Sequence, residues 1–155
     1  MLMLAALPLE PIKFLGISTI LALTQHTTLQ EKLIKAGVLD ILSEVIRCQQ
    51  SAQALVDAAN AISMLIQNHR HRFAATRADI VSNMLLHLAD SNTNLDVIGT
   101  EIVSMLCEDT VCQQLICTSR SGEQLYRILY GKQPPPPEFA AIWCRCLFLV
   151  VLDSA

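Results

Sequence analysis

The apolar positions of this chain repeat at a spacing of about 41 residues. Leu23, Leu65, Leu106 and Leu147 follow one another at intervals of 42, 41 and 41 residues. An apolar residue stands three positions before each leucine and a small residue seven before, namely Ile20, Ile62, Val103 and Cys144, and Gly16, Ala58, Gly99 and Ala140. Because residues spaced at i, i+4 and i+7 share one face of a helix, the pattern predicts one helix written four times. The small residue allows a neighbouring helix to approach closely.

This register predicts long helices near 11–25, 53–67, 95–108 and 138–152, with medium helices near 38–48, 79–89 and 122–130. The stretch "TLQEKLIKAG" predicts a short helix, with Thr28 and Glu31 as a capping box and Gly37 as its stop. Asp79 is the expected N-cap of the second medium helix. No stretch shows the alternation typical of strands.

The predicted fold is therefore all-α, built from units of a short, a medium and a long helix. One domain is expected over residues 10–152, with a partial unit at 10–25 and units at about 27–67, 68–108 and 109–152. The first full unit, "TTLQEKLIKAGVLDILSEVIRCQQSAQALVDAANAISMLIQN", resembles an armadillo repeat. The residues that carry the resemblance are Ala36, Gly37, Leu39, Leu42, Ala58, Ala59 and Leu65.

The armadillo resemblance implies a right-handed α-solenoid of three-helix repeats, about three units plus a partial N-terminal one. The second and third units keep the length and the apolar register but lose the glycine position. The related HEAT repeats remain an alternative. In armadillo proteins the third helix of each unit lines a concave groove, so the resemblance implies a partner on the long helices.

A helical wheel of the long helices identifies the face that would line such a groove. With Ala58, Ile62 and Leu65 turned to the core, the residues expected to point away are Asp57, Asn60, Ser63, Met64 and Gln67, and in the next unit Ile98, Glu101, Ser104, Met105 and Glu108. From these we predict that Asn60, Met64, Gln67, Glu101, Met105 and Glu108 bind the partner. Nuclear-import receptors of the family carry tryptophan and asparagine at positions that match Asn60 and Met64, Glu101 and Met105, and Ile142 and Cys146. No tryptophan stands at the first position of any of these pairs, and no asparagine stands at the second. Their absence argues against the way import receptors bind basic peptides.

Composition limits the alternatives. A net charge of −3 and an aromatic share of 5% give no reason to expect nucleic-acid binding. The six cysteines form no CxxC pair, so no metal or other cofactor is expected, and reduced thiols suit a cytoplasmic protein. The segment "NHRHR" at 68–72 is interpreted as a solvated turn between units. The last apolar run of 14 residues is too short for a membrane span.

The expected function is that of a protein-binding scaffold or adaptor rather than an enzyme. The alternatives are a thiol-dependent enzyme that uses a Cys/His pair, and a piece of a longer armadillo or HEAT array. The predicted C-terminal helix has a second apolar face, made of Phe139, Ile142, Cys146 and Leu149. Because a terminal repeat needs a polar outer surface, we expect further repeats, a second copy or a partner to cover this face.

Overall fold

A computed structural model describes residues 10–48, 51–88 and 93–119, together with the single residues 122, 124 and 144. These residues form eight α-helices and one 3-10 turn, and none of them lies in a strand. In chain order the helices are α1 (Glu10–Thr24), α2 (Thr27–Lys35), α3 (Val38–Arg47), α4 (Ala52–Ile66), α5 (Arg72–Arg77), α6 (Ile80–Leu88), α7 (Thr93–Cys107) and α8 (Thr110–Thr118). The 3-10 turn, His69–His71, precedes α5.

The all-α prediction is confirmed for this part of the chain. The predicted long helices at 11–25, 53–67 and 95–108 correspond to α1, α4 and α7. The predicted medium helices at 38–48 and 79–89 correspond to α3 and α6. The predicted helices at 122–130 and 138–152, including the apolar face of Phe139, Ile142, Cys146 and Leu149, lie outside the described residues.

Like helices pack on like helices along the chain. The long helix α4 lies between α1 and α7, and the medium helix α3 packs against α6. The short helix α5 contacts α8. The medium helices α3 and α6 also pack against the long helices that follow them, α4 and α7. The described residues thus form a layer of long helices backed by a layer of medium helices.

One apolar core runs through these layers from Ile17 on α1 to Ile116 on α8. Its fully buried side chains include Ile20, Ile62 and Leu65, which belong to the repeated apolar register. The small positions of that register, Gly16, Ala58 and Gly99, are also buried, as expected for residues that face neighbouring helices. Ala140 lies outside the described residues.

The starts of the helices follow the expected signals only in part. Gly37 adopts the left-handed conformation (φ 79°) directly before α3 and so ends α2 as predicted. Asp79 occupies the corresponding place before α6, also with positive φ (56°). The capping-box prediction for Thr28 is wrong, because α2 begins one residue earlier. The His26 backbone is extended there, and its carbonyl accepts the Leu29 N–H at 2.9 Å.

Polar side chains join the two medium helices. Ser43 Oγ on α3 donates to the Ala78 carbonyl and accepts from Asn83 Nδ2 on α6 at 2.9 Å. His87 Nε2, also on α6, lies 2.6 Å from the Ile46 carbonyl, a contact in which the ring N–H donates. These bonds satisfy polar groups that the packing of α3 on α6 removes from water.

Replacing Ala58 with leucine tests the close packing of α4. Ala58 is fully buried, so the added side chain should overpack the core and lower the free energy of unfolding by about 1–3 kcal/mol. Denaturant unfolding measures this change. Ala22→Leu, at an exposed position inside α1, is the matched control and should stay within about 0.5 kcal/mol. Equal midpoints for the two variants would contradict the packing of α4.

Candidate functional site

The predicted partner-binding residues occupy corresponding positions along two adjacent long helices, with Gln67 directly after the end of α4 and Glu108 directly after the end of α7. Gln67, Glu101 and Glu108 are exposed, and Asn60, Met64 and Met105 are half-buried. Because α4 packs directly against α7, the two sets of three lie on neighbouring helices rather than on opposite sides of the molecule. We call these six residues the long-helix face. They form a surface with partial access to solvent, which a binding face requires.

Two residues expected to point away from the core are buried instead. Asp57 is 9% exposed, and its carboxylate accepts from Ser18 Oγ at 3.0 Å and from Gln53 Nε2 at 2.8 Å. Ser63 is 8% exposed. A helical wheel shows which residues of one helix share a face, but not which neighbouring helix covers them. Here α1 packs along α4 and supplies the Ser18 hydroxyl to Asp57, so α1 covers that position.

The methionines of the long-helix face are partly anchored. Thr24 Oγ1 on α1 donates to Met64 Sδ at 3.6 Å, and Met105 packs against the core. Ile98, which was expected to point away, also packs against the core while remaining half-buried. Methionine adapts to irregular contacts, so partly exposed methionines can meet apolar side chains of varied shape.

Sequence reasoning missed that Arg72 reaches the long-helix face. Its Nη1 lies 3.0 Å from Glu108 Oε2, and its Nε donates to the Ile66 carbonyl at 3.1 Å. The Arg72 side chain is only 14% exposed, whereas that of Glu108 is 62% exposed. His71 is also buried and places Nδ1 2.9 Å from the Leu65 carbonyl, so describing "NHRHR" as a solvated turn was wrong for these two residues. The basic segment instead satisfies the carbonyls at the end of α4.

Ionisable groups outside the long-helix face stabilise the local structure around them. Asp109 caps α8 by accepting from the backbone N–H groups of Val111 and Cys112 at 3.0 and 3.1 Å. The Cys112 bond, together with the Val111 bond, lowers the pKa of the Asp109 carboxyl despite partial burial. Burial raises the pKa of the Cys112 thiol. Within the described ranges, no group of three His, Cys, Asp or Glu side chains could hold a metal ion.

A groove of about 400 Å³ lies between the medium helices α3 and α6 and was not expected from the sequence. Its lining is polar and consists of Asp40, Ser43, Glu44, Arg47, Ala78, Asp79, Ser82 and Asn83. The Arg47 guanidinium is already held by the Glu44 carboxylate, and Ser43 and Asn83 bond to each other. Four of its polar side chains are thus engaged in pairs, Arg47 with Glu44 and Ser43 with Asn83.

No protein-family model and no curated protein matches this chain. Among the described residues, no helix is both long and apolar enough to cross a membrane.

Arg72→Ala tests how firmly the end of α4 is tied to the long-helix face. The substitution removes a mostly buried side chain and leaves the Ile66 carbonyl without this donor. It should therefore lower the free energy of unfolding by about 1–3 kcal/mol in denaturant titrations. Glu108→Gln removes only the exposed half of the ion pair and should cost about 0.2–1 kcal/mol. A larger loss for Glu108→Gln than for Arg72→Ala would contradict this account.

Proposed function

We propose that this protein is an interaction module, a scaffold or adaptor that holds a peptide or partner protein on its long-helix face. The proposed architecture is a right-handed, armadillo-like solenoid of about three units, preceded by a partial one. The packing of long helix on long helix and medium helix on medium helix supports the proposal. A cytoplasmic location belongs to the same proposal, because Cys48, Cys107 and Cys112 carry thiols rather than disulfides.

The observation that carries this function is the repetition of one surface position on two packed helices. Met64 on α4 and Met105 on α7 stand 41 residues apart and are both half-buried. Asn60 and Glu101, one turn earlier, stand at the same spacing. Packing of the core does not require one kind of residue to recur on the outer side of successive helices. An elongated partner that crosses several helices does require such a recurrence.

The chemistry of the face indicates what it would accept. The methionines offer adaptable apolar contacts, and Glu101 and Glu108 add negative charge. We therefore propose a partner that inserts apolar anchors between polar contacts. This mode needs no metal or cofactor, and none is included in the proposal.

Thiol catalysis is the competing proposal, and the described cysteines do not favour it. Cys107 and Cys112 are buried, and the raised pKa of the Cys112 thiol leaves it less ionised at neutral pH than an ordinary cysteine. Reactive cysteines carry the opposite signature, a lowered pKa and access to solvent. Cys48 is exposed, but its Sγ lies 2.9 Å from the Glu44 carboxylate, whose negative charge does not stabilise a thiolate.

Changing Met64 and Met105 together to glutamate tests the face. The double variant should abolish binding of a partner recovered with the wild-type chain, because two charges replace the apolar contacts. Affinity is measured by titration with the purified partner. Both methionines are half-buried, so circular dichroism must show that the helices persist. Glu101→Lys, at an exposed position, provides a second variant that leaves the packing unchanged.

Leu86→Glu is the matched control, because Leu86 is an exposed apolar residue on the medium helix α6. It should leave partner affinity unchanged. A partner whose affinity falls with Leu86→Glu but not with the Met64 and Met105 change would place the binding surface on the other layer.

Thiol titration separates the two proposals. With an aromatic disulfide reagent at neutral pH, the exposed Cys48 and Cys144 should react early, and the buried Cys107 and Cys112 should react only as the protein unfolds. Changing Cys107 and Cys112 together to serine should remove this slow phase and leave the fast one. A cysteine that reacts much faster than free glutathione would instead support an enzyme.

A further inference from the structure

The three short helices α2, α5 and α8 begin at equivalent places in the chain. His26 is the N-cap residue of α2, Asn68 that of the 3-10 turn that leads into α5, and Asp109 that of α8. These residues stand 42 and 41 positions apart, the same intervals that separate the leucines of the long helices. The short helices can therefore be compared position by position from their caps.

Each short helix turns an equivalent face away from the core. Residues two, five, six and nine positions after each cap share one side of a helix, and all of them are exposed except Ala74, which is half-buried. We call this set the short-helix face. Its members are Thr28, Glu31, Lys32 and Lys35, then Arg70, Phe73, Ala74 and Arg77, and finally Val111, Gln114, Leu115 and Thr118.

The short-helix face is basic although the chain as a whole is acidic. It holds four of the 11 Lys and Arg residues of the chain but only one of the 14 Asp and Glu residues. The one acid, Glu31, is already neutralised by Lys35 at 2.8 Å. Lys32, Arg70 and Arg77 form no ion pair within the described part of the chain, so three positive charges remain available to a partner.

The three short helices contribute to one continuous surface. The bond and charge of Lys35 lower the pKa of the Glu31 carboxyl, and the charge of Arg70 adds to this effect. Arg70 therefore lies near the surface of α2 although it precedes α5 in the chain. Since α5 packs against α8, the face continues from α2 across α5 to α8.

Large apolar side chains stand among these cations. Phe73 on α5 is 47% exposed, and Val111 and Leu115, one turn apart on α8, are 53% and 36% exposed. Phe73 precedes Arg77 by one turn, and Val111 occupies the position on α8 that Arg70 occupies before α5. Apolar and cationic groups thus project from the same outer positions of neighbouring helices.

This combination suits the surface of an anionic membrane. Lys and Arg side chains are attracted to the negative surface potential of such a membrane, and apolar side chains enter the boundary between headgroups and acyl chains. The apolar stems of Lys and Arg allow their charged ends to stay at the headgroups while the surface approaches. In a cell the cytoplasmic leaflet carries this negative charge.

A bound helix of a partner protein fits the short-helix face less well. Such a helix lays its apolar side chains into a groove between the helices of its receptor. Phe73, Val111 and Leu115 instead stand at the outermost positions of their own helices. The groove of about 400 Å³ described above lies between the medium helices α3 and α6, not on this face.

We propose that the short-helix face binds the surface of an anionic membrane, with its cations at the headgroups and Phe73, Val111 and Leu115 inserted between them. The short-helix face shares no residue with the long-helix face. Membrane binding is therefore separate from the proposed function, and each can fail without the other. A partner held on the long-helix face would be brought to the membrane.

Sedimentation of the purified full chain with lipid vesicles tests the proposal. Vesicles of phosphatidylcholine that contain about one-third phosphatidylserine should bind the chain about tenfold or more tightly than vesicles of phosphatidylcholine alone. Raising the salt concentration from about 0.1 M to about 1 M shortens the Debye length from about 10 Å to about 3 Å and should weaken this binding.

Two double variants with identical chemistry locate the binding surface. Arg77→Gln with Leu115→Ser removes one cation and one leucine from the short-helix face and should weaken vesicle binding by about tenfold or more. Arg47→Gln with Leu86→Ser makes the same changes at exposed positions of the medium helices and should leave binding unchanged. The net charge falls equally in both variants, and circular dichroism confirms that both keep their helices.

A fluorescent probe on α5 reports insertion directly. Phe73→Trp places an indole on the short-helix face, and lipids brominated near the headgroup should quench its emission when anionic vesicles are added. The wild-type chain, whose one tryptophan is Trp143, supplies the background signal. Quenching no greater than this background would contradict insertion of Phe73.

Three other results would overturn the proposal. These are equal binding to neutral and anionic vesicles, equal losses for the two double variants, and no binding at about 1 mM lipid. An acidic peptide such as EELEEFEE is the alternative probe. If it binds and the Arg77 and Leu115 changes abolish its binding, while anionic vesicles do not bind, the face belongs to a protein partner and the membrane proposal is wrong.

Discussion

The apolar core that successive long helices share is the constraint on which the rest of this structure depends. Ile20 on α1, Ile62 and Leu65 on α4 and Val103 on α7 are all fully buried. The long helix α4 packs against both α1 and α7, so each of these helices is buried in part by its neighbour along the chain. Small residues such as Ala58 on α4 are therefore required where the helices approach closely.

Stacking of this kind also creates the candidate site. Because α4 packs against α7, residues at corresponding positions of the two helices lie on neighbouring parts of the surface. Polar contacts also join α1 to α4: Ser18 bonds to Asp57, and Thr24 to Met64. The Met64 sulfur accepts this bond while the rest of the side chain stays partly exposed, so replacing Met64 alters the contact between α1 and α4 as well as the surface.

The sequence alone predicted the helices whose positions follow from the period of the buried residues. The bounds of α1, α4 and α7 lie within about two residues of the prediction, because burial repeats with the helical turn. The sequence did not predict the contacts that depend on how neighbouring helices pack. The burial of Asp57 depends on α1 packing across α4, and the reach of Arg72 to Glu108 joins residues 36 positions apart. A helical wheel contains no information on either contact.

Gly37 and Asp79 show how residues of different type support the same backbone turn before a medium helix. Both residues adopt positive φ directly before a medium helix, and both carbonyls accept an N–H from the first turn of that helix. Glycine meets this requirement without strain, and aspartate is among the few other residues that tolerate it. The constraint therefore acts on conformation and not on residue type, so residue identities can change while the turn persists. The same reasoning applies to the outer sides of the long helices. The core fixes where their side chains stand, and because it leaves their chemistry free, α4 and α7 carry different residues at corresponding positions, as Asn60 and Glu101 show.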